Sequence, residues 1–376
     1  MRITDLICHP LTTAIEDDQQ RTSQGSFGTI SIIIVEVRTD EGLVGYGEGL
    51  ARYAPRAYKV LVDELLKPRL LGEDPFDADK LWQRMFRVFT GRSGGVLMEA
   101  LAAVDIALWD LMGKAVGKPV YKLLGGAGRD RVHAYASSIA WAADDVAVAQ
   151  TRAAIAQGFK LIKVKIGAPV ESALARCRLV RDTVDKFGKG GVKLAADANW
   201  IFDYDDAVRL ARGMLDLDYW WLEEPIVPED IEGYRKLRAA VPIRLTAGES
   251  EHTAFGAREL IASRAVGIIQ PDVARSGGIT ETRRIAELAH AFHVGYAPHV
   301  GASGAVCAAA SLHLAAAMPN FVTFECMVFK NPLREALTTQ KVGDPNALID
   351  GTVAVPQGPG LGIEIDFDTL DRYRVA

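Results

Sequence analysis

The sequence predicts an α/β protein whose larger part is a closed parallel barrel of eight strands, preceded by an α+β segment. Two observations predict it. From about Arg131 onward, short apolar runs alternate with amphipathic helical stretches, and most of the runs end on or near an ionisable residue. In the first third, strand-like segments come first and helices follow.

The early segments run in order. Thr29 to Val37 is dense in Ile and Val, and Asp40-Glu41-Gly42 supplies a turn before a second short strand, Leu43 to Glu48. Helical patterns follow over residues 54–70, 78–89 and 96–113. The barrel runs are then Val132–Ser137, Lys160–Ile166, Val192–Asp197, Tyr219–Glu224, Ile243–Glu249, Gly267–Asp272, Val294–His299 and Phe321–Glu325. Between them, residues 171–187 carry Leu174, Cys177, Val180 and Val184 on one helical face, and residues 280–292 carry Ile285, Leu288, Ala289 and Phe292. Eight strands separated mainly by helices favour a closed barrel over an open sheet. Beyond Glu325 the chain is loop-rich and is expected to run back to the first segment.

Composition removes several function classes. With 49% apolar and 24% charged residues, the 376-residue chain is neither disordered nor fibrous. A net charge of −5 without a basic block argues against nucleic acid and against a polybasic membrane patch. The cysteines, Cys8, Cys177, Cys307 and Cys326, have no C-x-x-C spacing, so neither a disulfide framework nor a zinc-thiolate site is expected. The opening MRITDLICHP has no apolar signal core, and the alanine-rich stretch around His313 suits a buried helix better than a membrane span. A cytoplasmic location is the expectation. No P-loop or strand-linked G-x-G-x-x-G occurs, which disfavours phosphate and dinucleotide chemistry.

The ionisable residues at the run ends are Lys165, Asp197, Glu223, Glu249, Asp272, His299 and Glu325, spaced 23 to 32 residues apart, close to one βα unit each. Strand C-termini of a parallel barrel share one face, so all seven would converge on one mouth. Asp197, Glu223 and Glu249 fall on consecutive strands and would repel one another if ionised in a low-dielectric site. A hard divalent cation resolves this, and Mg²⁺ suits an all-oxygen set. Three solvated carboxylates paired with Lys or Arg are the bland alternative. Lys163 and Lys165 flank Val164 and point to the same side of a strand; their mutual proximity near a metal should depress their pKa values and make Lys165 a neutral base. Asp272 beside His299 would fix the ring tautomer and raise its basicity. Glu325 is either a protonated donor to a substrate carboxylate or a helix-capping acid.

These motifs resemble the mandelate racemase branch of the enolase superfamily over essentially the whole chain: Lys163-Val-Lys165, Asp197-Ala-Asn199, Glu223-Glu224-Pro225, Gly248-Glu249, Gln270-Pro271-Asp272, His299, Glu325, and the stretch AAVDIALWDLMGKAVGKPVYKLLGG that leads into the barrel. The resemblance implies a modified TIM barrel, (β/α)₇β, over residues 126–329. An N-terminal α+β capping domain over 1–125 would be completed by the tail 330–376. It implies one Mg²⁺ held by Asp197, Glu223 and Glu249, and abstraction of the proton α to a carboxylate to give a metal-stabilised enediolate; superfamily members pairing Lys or His bases with Mg²⁺ are a known pattern. Lys165 would stand on one face of the α-carbon and the His299–Asp272 pair on the other.

Dehydration of an acid sugar to a 2-keto-3-deoxy acid is then favoured as the commoner activity of members with this pattern, with racemisation of a 2-hydroxy acid as the runner-up. A lactonising cycloisomerase usually has a second Lys on the sixth strand, where this chain has Asp272 and Arg275. A non-enzymatic barrel is disfavoured because all seven positions are filled. The polar segments 16–26 and 52–56 resemble the family's specificity loops, so Arg21 and Tyr53 are expected substrate contacts. Lys163, Asn199 and Trp141 are expected as electrostatic, orienting and wall residues. The expected partner is a small carboxylate such as an aldonic or aldaric acid, and the expected assembly a homo-oligomer.

Overall fold

The computed structural model describes residues 1–15, 20–88, 94–188 and 190–375. A three-stranded antiparallel sheet of order β1-β4-β5 is built from β1 (Ile3–Ala14), β4 (Thr29–Thr39) and β5 (Val44–Leu50). Between β1 and β4 lies a two-stranded hairpin, β2 (Arg21–Thr22) and β3 (Gly25–Ser26). β1 pairs with β4 along nearly its full length and is the one long strand that the periodicity did not single out. The helix expected over 54–70 is there, continuous from Pro55 to Leu70 with a wider π turn at Leu61–Leu66. The next spans Ala78–Phe86, and Phe89 lies outside the described residues. The third is Val96–Ala115.

Every second residue of β5 is a glycine, and the helix Val96–Ala115 explains why. A Cβ on Gly45, Gly47 or Gly49 would lie 2.1, 1.8 and 2.6 Å from the backbone oxygens of Ala107, Ala103 and Glu99. The strand has no side chains on that face because the helix backbone occupies the space.

The remaining strands are β6 (Arg131–Ile139), β7 (Leu161–Lys165), β8 (Lys193–Asp197), β9 (Tyr219–Glu223), β10 (Arg244–Ala247), β11 (Ile268–Ile269), β12 (Gly295–Tyr296) and β13 (Phe324–Met327). They pair in the order β12-β11-β10-β9-β8-β7-β6-β13. A parallel bridge from Tyr296 to Phe321 and the bond from Val322 N to Tyr296 O (2.8 Å) join the two ends. Seven successive helices lie between these strands, from Asp144–Ala156 to Ala305–Ala317, and none follows β13 before the tail. The chain is thus the expected (β/α)₇β barrel with an N-terminal α+β part. The helix Ala305–Ala317 is buried along all but its last residue, as the sequence led us to expect, and among the described residues no helix is long and apolar enough to cross a membrane. All four cysteines are free and buried.

The tail first adds a strand to the barrel and then returns to the first part. β14 (Thr352–Ala354) pairs antiparallel with β6. Gly360 packs on Asp110, and Arg374 bridges Leu11 of β1.

Two helices that follow barrel strands start on glycine and have no cap of their own, Gly278–Ala291 after Gly277 and Ala305–Ala317 after Gly304. Their orphan N–H groups are met from the N-terminal part. Asp105 accepts from Thr280 N at 2.9 Å and from the Thr280 hydroxyl at 2.6 Å. Glu48 of β5 accepts from Gly304 N at 2.6 Å and Cys307 N at 3.0 Å.

The glycine stripe gives a direct test. Gly47→Ala should destabilise the protein by about 3 kcal/mol, the upper range for overpacking a filled site, read as a lowered thermal midpoint. A wild-type midpoint would mean that the helix can retreat from β5 at no cost.

Candidate active site

A buried apolar layer fills the barrel: Tyr135, Leu161, Ala195, Trp221, Ile268 and Ala297, with the Tyr135 and Trp221 rings edge to face at 5.2 Å. Side chains on one face of a strand recur every second residue. Two positions beyond each member of this layer stand Ser137, Lys163, Asp197, Glu223, Gln270 and His299. The sequence therefore switches from apolar to chemical in a single step on six strands. Lys165, Asp197 and Glu223 are the last residues of β7, β8 and β9. Glu249, Asp272 and His299 lie in the turns just beyond β10, β11 and β12, a little later than strand ends.

Asp197, Glu223 and Lys163 are fully buried beneath the mouth. Lys163 Nζ donates to Glu223 Oε1 and, at 3.0 Å, to Glu325 Oε1, and it lies 3.5 Å from Asp197 Oδ2. Lys165 Nζ donates to Asp197 Oδ2. Gln270 Nε2 donates to Glu223 Oε2 at 2.8 Å. Burial disfavours the Lys163 ammonium, but Glu223, Glu325, Tyr135 and Asp197 outweigh it and hold Lys163 well above its usual value, the opposite of the expected depression. Burial likewise opposes ionisation of Asp197, yet Lys165 and Lys163 bring its carboxyl down to about 2. Glu223 is pushed up to about 8 by burial, with Lys163 offsetting only part of that and Asp197 and Glu325 adding to it. Three buried carboxylates here face two ammonium groups, and the shortage of positive charge falls on Glu223.

Glu325, expected either as a protonated donor or as a helix-capping acid, stands here as an acceptor. It accepts from the Ser137 hydroxyl (2.7 Å), Lys163 Nζ (3.0 Å), Val300 N (2.7 Å) and Gly301 N (3.1 Å). Burial opposes its charge, but Lys163, His299 and these donors keep it ionised, well below the usual carboxylate range. His299 Nδ1 lies 2.8 Å from Asp272 Oδ2, and its Nε2 lies 3.1 Å from Glu249 Oε2. Burial lowers the imidazole pKa, while Glu249, Glu325 and Asp272 raise it further, to about 9. Glu249 also has Arg52 at 3.7 Å, and its carbonyl accepts from Arg275 Nη1 at 2.9 Å.

Lys165, Asn199, Glu249, His299 and Glu325 all open onto one cavity of about 550 Å³, roofed by residues 20–31 and 50–53 of the N-terminal part. Tyr53 is on its rim, 79% exposed. Ser23 and Gln24 dock the hairpin on the barrel by donating to the carbonyls of Ala198 (2.8 Å) and Asn199 (2.7 Å). Residues 16–19 of the expected loop lie outside the described residues. Arg21 and Trp141 are elsewhere. Alternation along β2 turns Thr22 inward and Arg21 outward, where it lines a small surface pocket with Trp141, and Trp141 stacks under Arg176 at 5.0 Å instead of walling the mouth.

Among the described residues, no three His, Cys, Asp or Glu side chains are oriented to share a metal ion. The lysines stand between the carboxylates instead. The donor chemistry nonetheless fits a hard cation: Asp197, Glu223 and Glu249 offer only oxygens, burial and the neighbouring carboxylates oppose the charge of Glu223, and the Asn199 side-chain oxygen at the same cavity is buried without a partner. Sequence reasoning assigned no role to Ser137, Arg275 or Glu224. Ser137 sits at the same inward position as the charged residues, but it is not ionisable and so escaped a search for ionisable strand ends. Glu224 accepts from Trp200 Nε1 and, at 2.8 Å, from Gly248 N, which steadies the turn before Glu249.

The chain matches two family models, the mandelate racemase / muconate lactonizing enzyme N-terminal domain over residues 10–125 and the enolase C-terminal domain-like model over residues 146–369. It is 34% identical to a D-galactarolactone cycloisomerase of Agrobacterium fabrum, over 99% of this chain and 97% of that one. It is also 34% identical to an arabinonate dehydratase of Saccharolobus solfataricus, over 92% and 91%. The structure superposes on a Streptomyces coelicolor racemase with bound magnesium at a TM-score of 0.89 and 27% identity, over 99% and 100% of the two chains. Sequence, fold and the order of the mouth residues thus agree that the chain belongs to the mandelate racemase branch of the enolase superfamily.

Proposed function

We propose that the protein is a magnesium-dependent acid-sugar dehydratase, removing the proton α to a carboxylate and expelling the β-hydroxyl as water to leave a 2-keto-3-deoxy acid. The observation that carries this reading is that Lys165 and the Asp272-braced His299 open onto one cavity beside Glu249 and Asn199. They come from the second and seventh strands of the ring, so a substrate in the cavity can be met from two sides. The dehydratase named among the relatives supports the same reaction class.

Asp197, Glu223 and Glu249 are the residues that would hold Mg²⁺. When bound, the ion supplies positive charge against which a substrate carboxylate can take on further negative charge. Lys165, once its ammonium has given a proton to solvent, accepts the α-proton, and the electron pair moves into the carboxylate. His299 then gives its Nε2 proton to the departing β-hydroxyl while Asp272 holds Nδ1. The C–O bond breaks, water leaves, and the resulting enol takes a proton at C3 while its C2 hydroxyl gives one up, leaving the ketone. Gln20, Thr22, Gln24, Ser31 and Ser250 give the wall hydrogen-bonding groups that suit a polyhydroxylated chain. A second reading, cycloisomerisation of a sugar lactone, is favoured by the relative named for it. Racemisation would use the same two faces.

The test is incubation of the protein and Mg²⁺ with aldonic and aldaric acids in D₂O, scoring keto acid by carbonyl derivatisation and α-proton loss by NMR. Keto product is expected from a small subset. Deuterium uptake with no keto product would replace dehydration with racemisation, and lactone consumption alone would favour the cycloisomerase. Lys165→Ala should lower turnover of the active acid by about 10²–10⁴-fold, the usual worth of a positioned base; an unchanged rate would remove Lys165 from the chemistry. Chelation with EDTA should abolish turnover and added Mg²⁺ should restore it, and activity that persists in EDTA would exclude the metal from the reaction.

A further inference from the structure

The loop between β12 and the helix Ala305–Ala317 carries His299 and, among the described residues, is held by the side chains of Glu325, Arg334, Glu48 and Asn331, whose Nδ2 donates to Ser303 O at 3.0 Å. At its near end, Glu325 accepts from the amides of Val300 and Gly301 at 2.7 and 3.1 Å. In the middle, Arg334 Nη2 donates to the carbonyls of Gly301 (3.0 Å) and Ser303 (2.8 Å). At its far end Glu48 of the N-terminal part accepts from Gly304 N and Cys307 N. The same strand reaches the other half of the pair. Leu50 N donates to Ala274 O at 3.4 Å, and Ala274 N donates to Asp272 Oδ1 at 2.8 Å. Cys307, whose amide Glu48 holds, has its Sγ 3.8 Å from that same Asp272 oxygen.

Residues 48 to 50 of β5 therefore grip both turns that bring His299 and Asp272 together. The grip has no slack: a Cβ on Gly304 would lie 2.9 Å from Glu48 Oε2 and 3.0 Å from Leu333 O. A local Ser or Asp at the cap would satisfy a helix N-terminus at lower cost than a carboxylate buried completely and brought from 256 residues away. A cap supplied from a distance does something a local one cannot. It fixes where the helix, and the loop before it, lie relative to the roof of the cavity.

We propose that Glu48 is a positioning residue for the His299–Asp272 pair, holding the loop 299–304 at the height where the imidazole meets its carboxylate partner. The proposal rests on reading that pair as the acid–base group of one face. The test uses magnesium-loaded full-length protein with Glu48→Gln, in which an amide group faces backbone donors. Two quantities are read: the low-field proton resonance of the Nδ1–H···Asp272 hydrogen bond, and α-proton exchange in D₂O for D-galactonate and its C2 epimer D-talonate, which offer opposite faces. Asp366→Ala, which uncaps the tail helix Phe367–Tyr373, controls for general destabilisation, including any passed to β5 through the Phe367–Tyr46 contact.

The expected result is a shifted or lost resonance and a roughly tenfold change in the ratio of exchange at the two faces, on the scale of small misplacements of a catalytic group. Asp366→Ala should leave both unchanged. If Glu48→Gln does not fold, Gly304→Ala, which pushes the carboxylate aside, should reproduce the effect. A wild-type resonance in either variant, or slowing shared equally by both faces and by Asp366→Ala, overturns the proposal. If the wild type exchanges neither epimer, the resonance still decides the role of Glu48, and the loss falls on the reading of the reaction instead.

Discussion

The constraint on which the rest of the mouth depends is an excess of buried negative charge. Asp197, Glu223, Glu325 and Asp272 are all nearly inaccessible to water, and Glu224 and Glu249 lie beside them. Such groups are tolerable only where each oxygen has a fixed donor or a nearby cation. The structure supplies these from many directions: two lysines from one strand, backbone amides of the 300–301 turn, the Gln270 amide and the Trp200 indole. A scaffold that holds so many partners in register has little freedom to relax. The Tyr135–Trp221 floor completes the arrangement by closing the barrel from below, so ions and substrate can arrive only from above.

The N-terminal part belongs to the same electrostatic system. Its contact with the barrel is made in large measure by acidic side chains that reach across: Asp105 to Thr280, Glu48 to Gly304 and Cys307, and Glu99 to Arg275 at 3.0 Å, which in turn holds the Glu249 carbonyl. Trp82 and Trp109 add indole donors to Gly277 O and the Thr280 hydroxyl, both at 2.8 Å. Helix N-termini carry partial positive charge, so carboxylates are the natural groups to dock on them. The barrel turns that follow β11 and β12 are thereby fixed from outside the barrel.

Most of this architecture was legible in the sequence. The alternation of apolar runs and helices located all eight barrel strands. The recurrence of ionisable residues near their ends located the mouth, because both signals come from local periodicity. What stayed hidden depends on distance or on direction. No pattern near Gly304 indicates that its cap comes from Glu48. Arg21 was misdirected because a two-residue strand gives no periodicity from which to tell inward from outward. The role of Glu325 was open between donor and capping acid, and four converging donors, from Ser137, Lys163, Val300 and Gly301, make it an acceptor. Trp141 sits near a strand end in sequence, yet its ring stacks on the buried Arg176 and does not line the cavity.

The glycines of β5 bear on how the cavity is entered. The helix Val96–Ala115 is pressed against bare backbone at Gly45, Gly47 and Gly49, and that same helix is pinned to the barrel by the hydrogen bonds of Asp105 and Trp109 to Thr280. The roof and the barrel are then joined into one stiff frame. Traffic of substrate and product must pass by rearrangement of the short segments at the rim, around residues 20–26 and 51–54, so exchange with solvent is set by a few small pieces of chain and not by rotation of a domain.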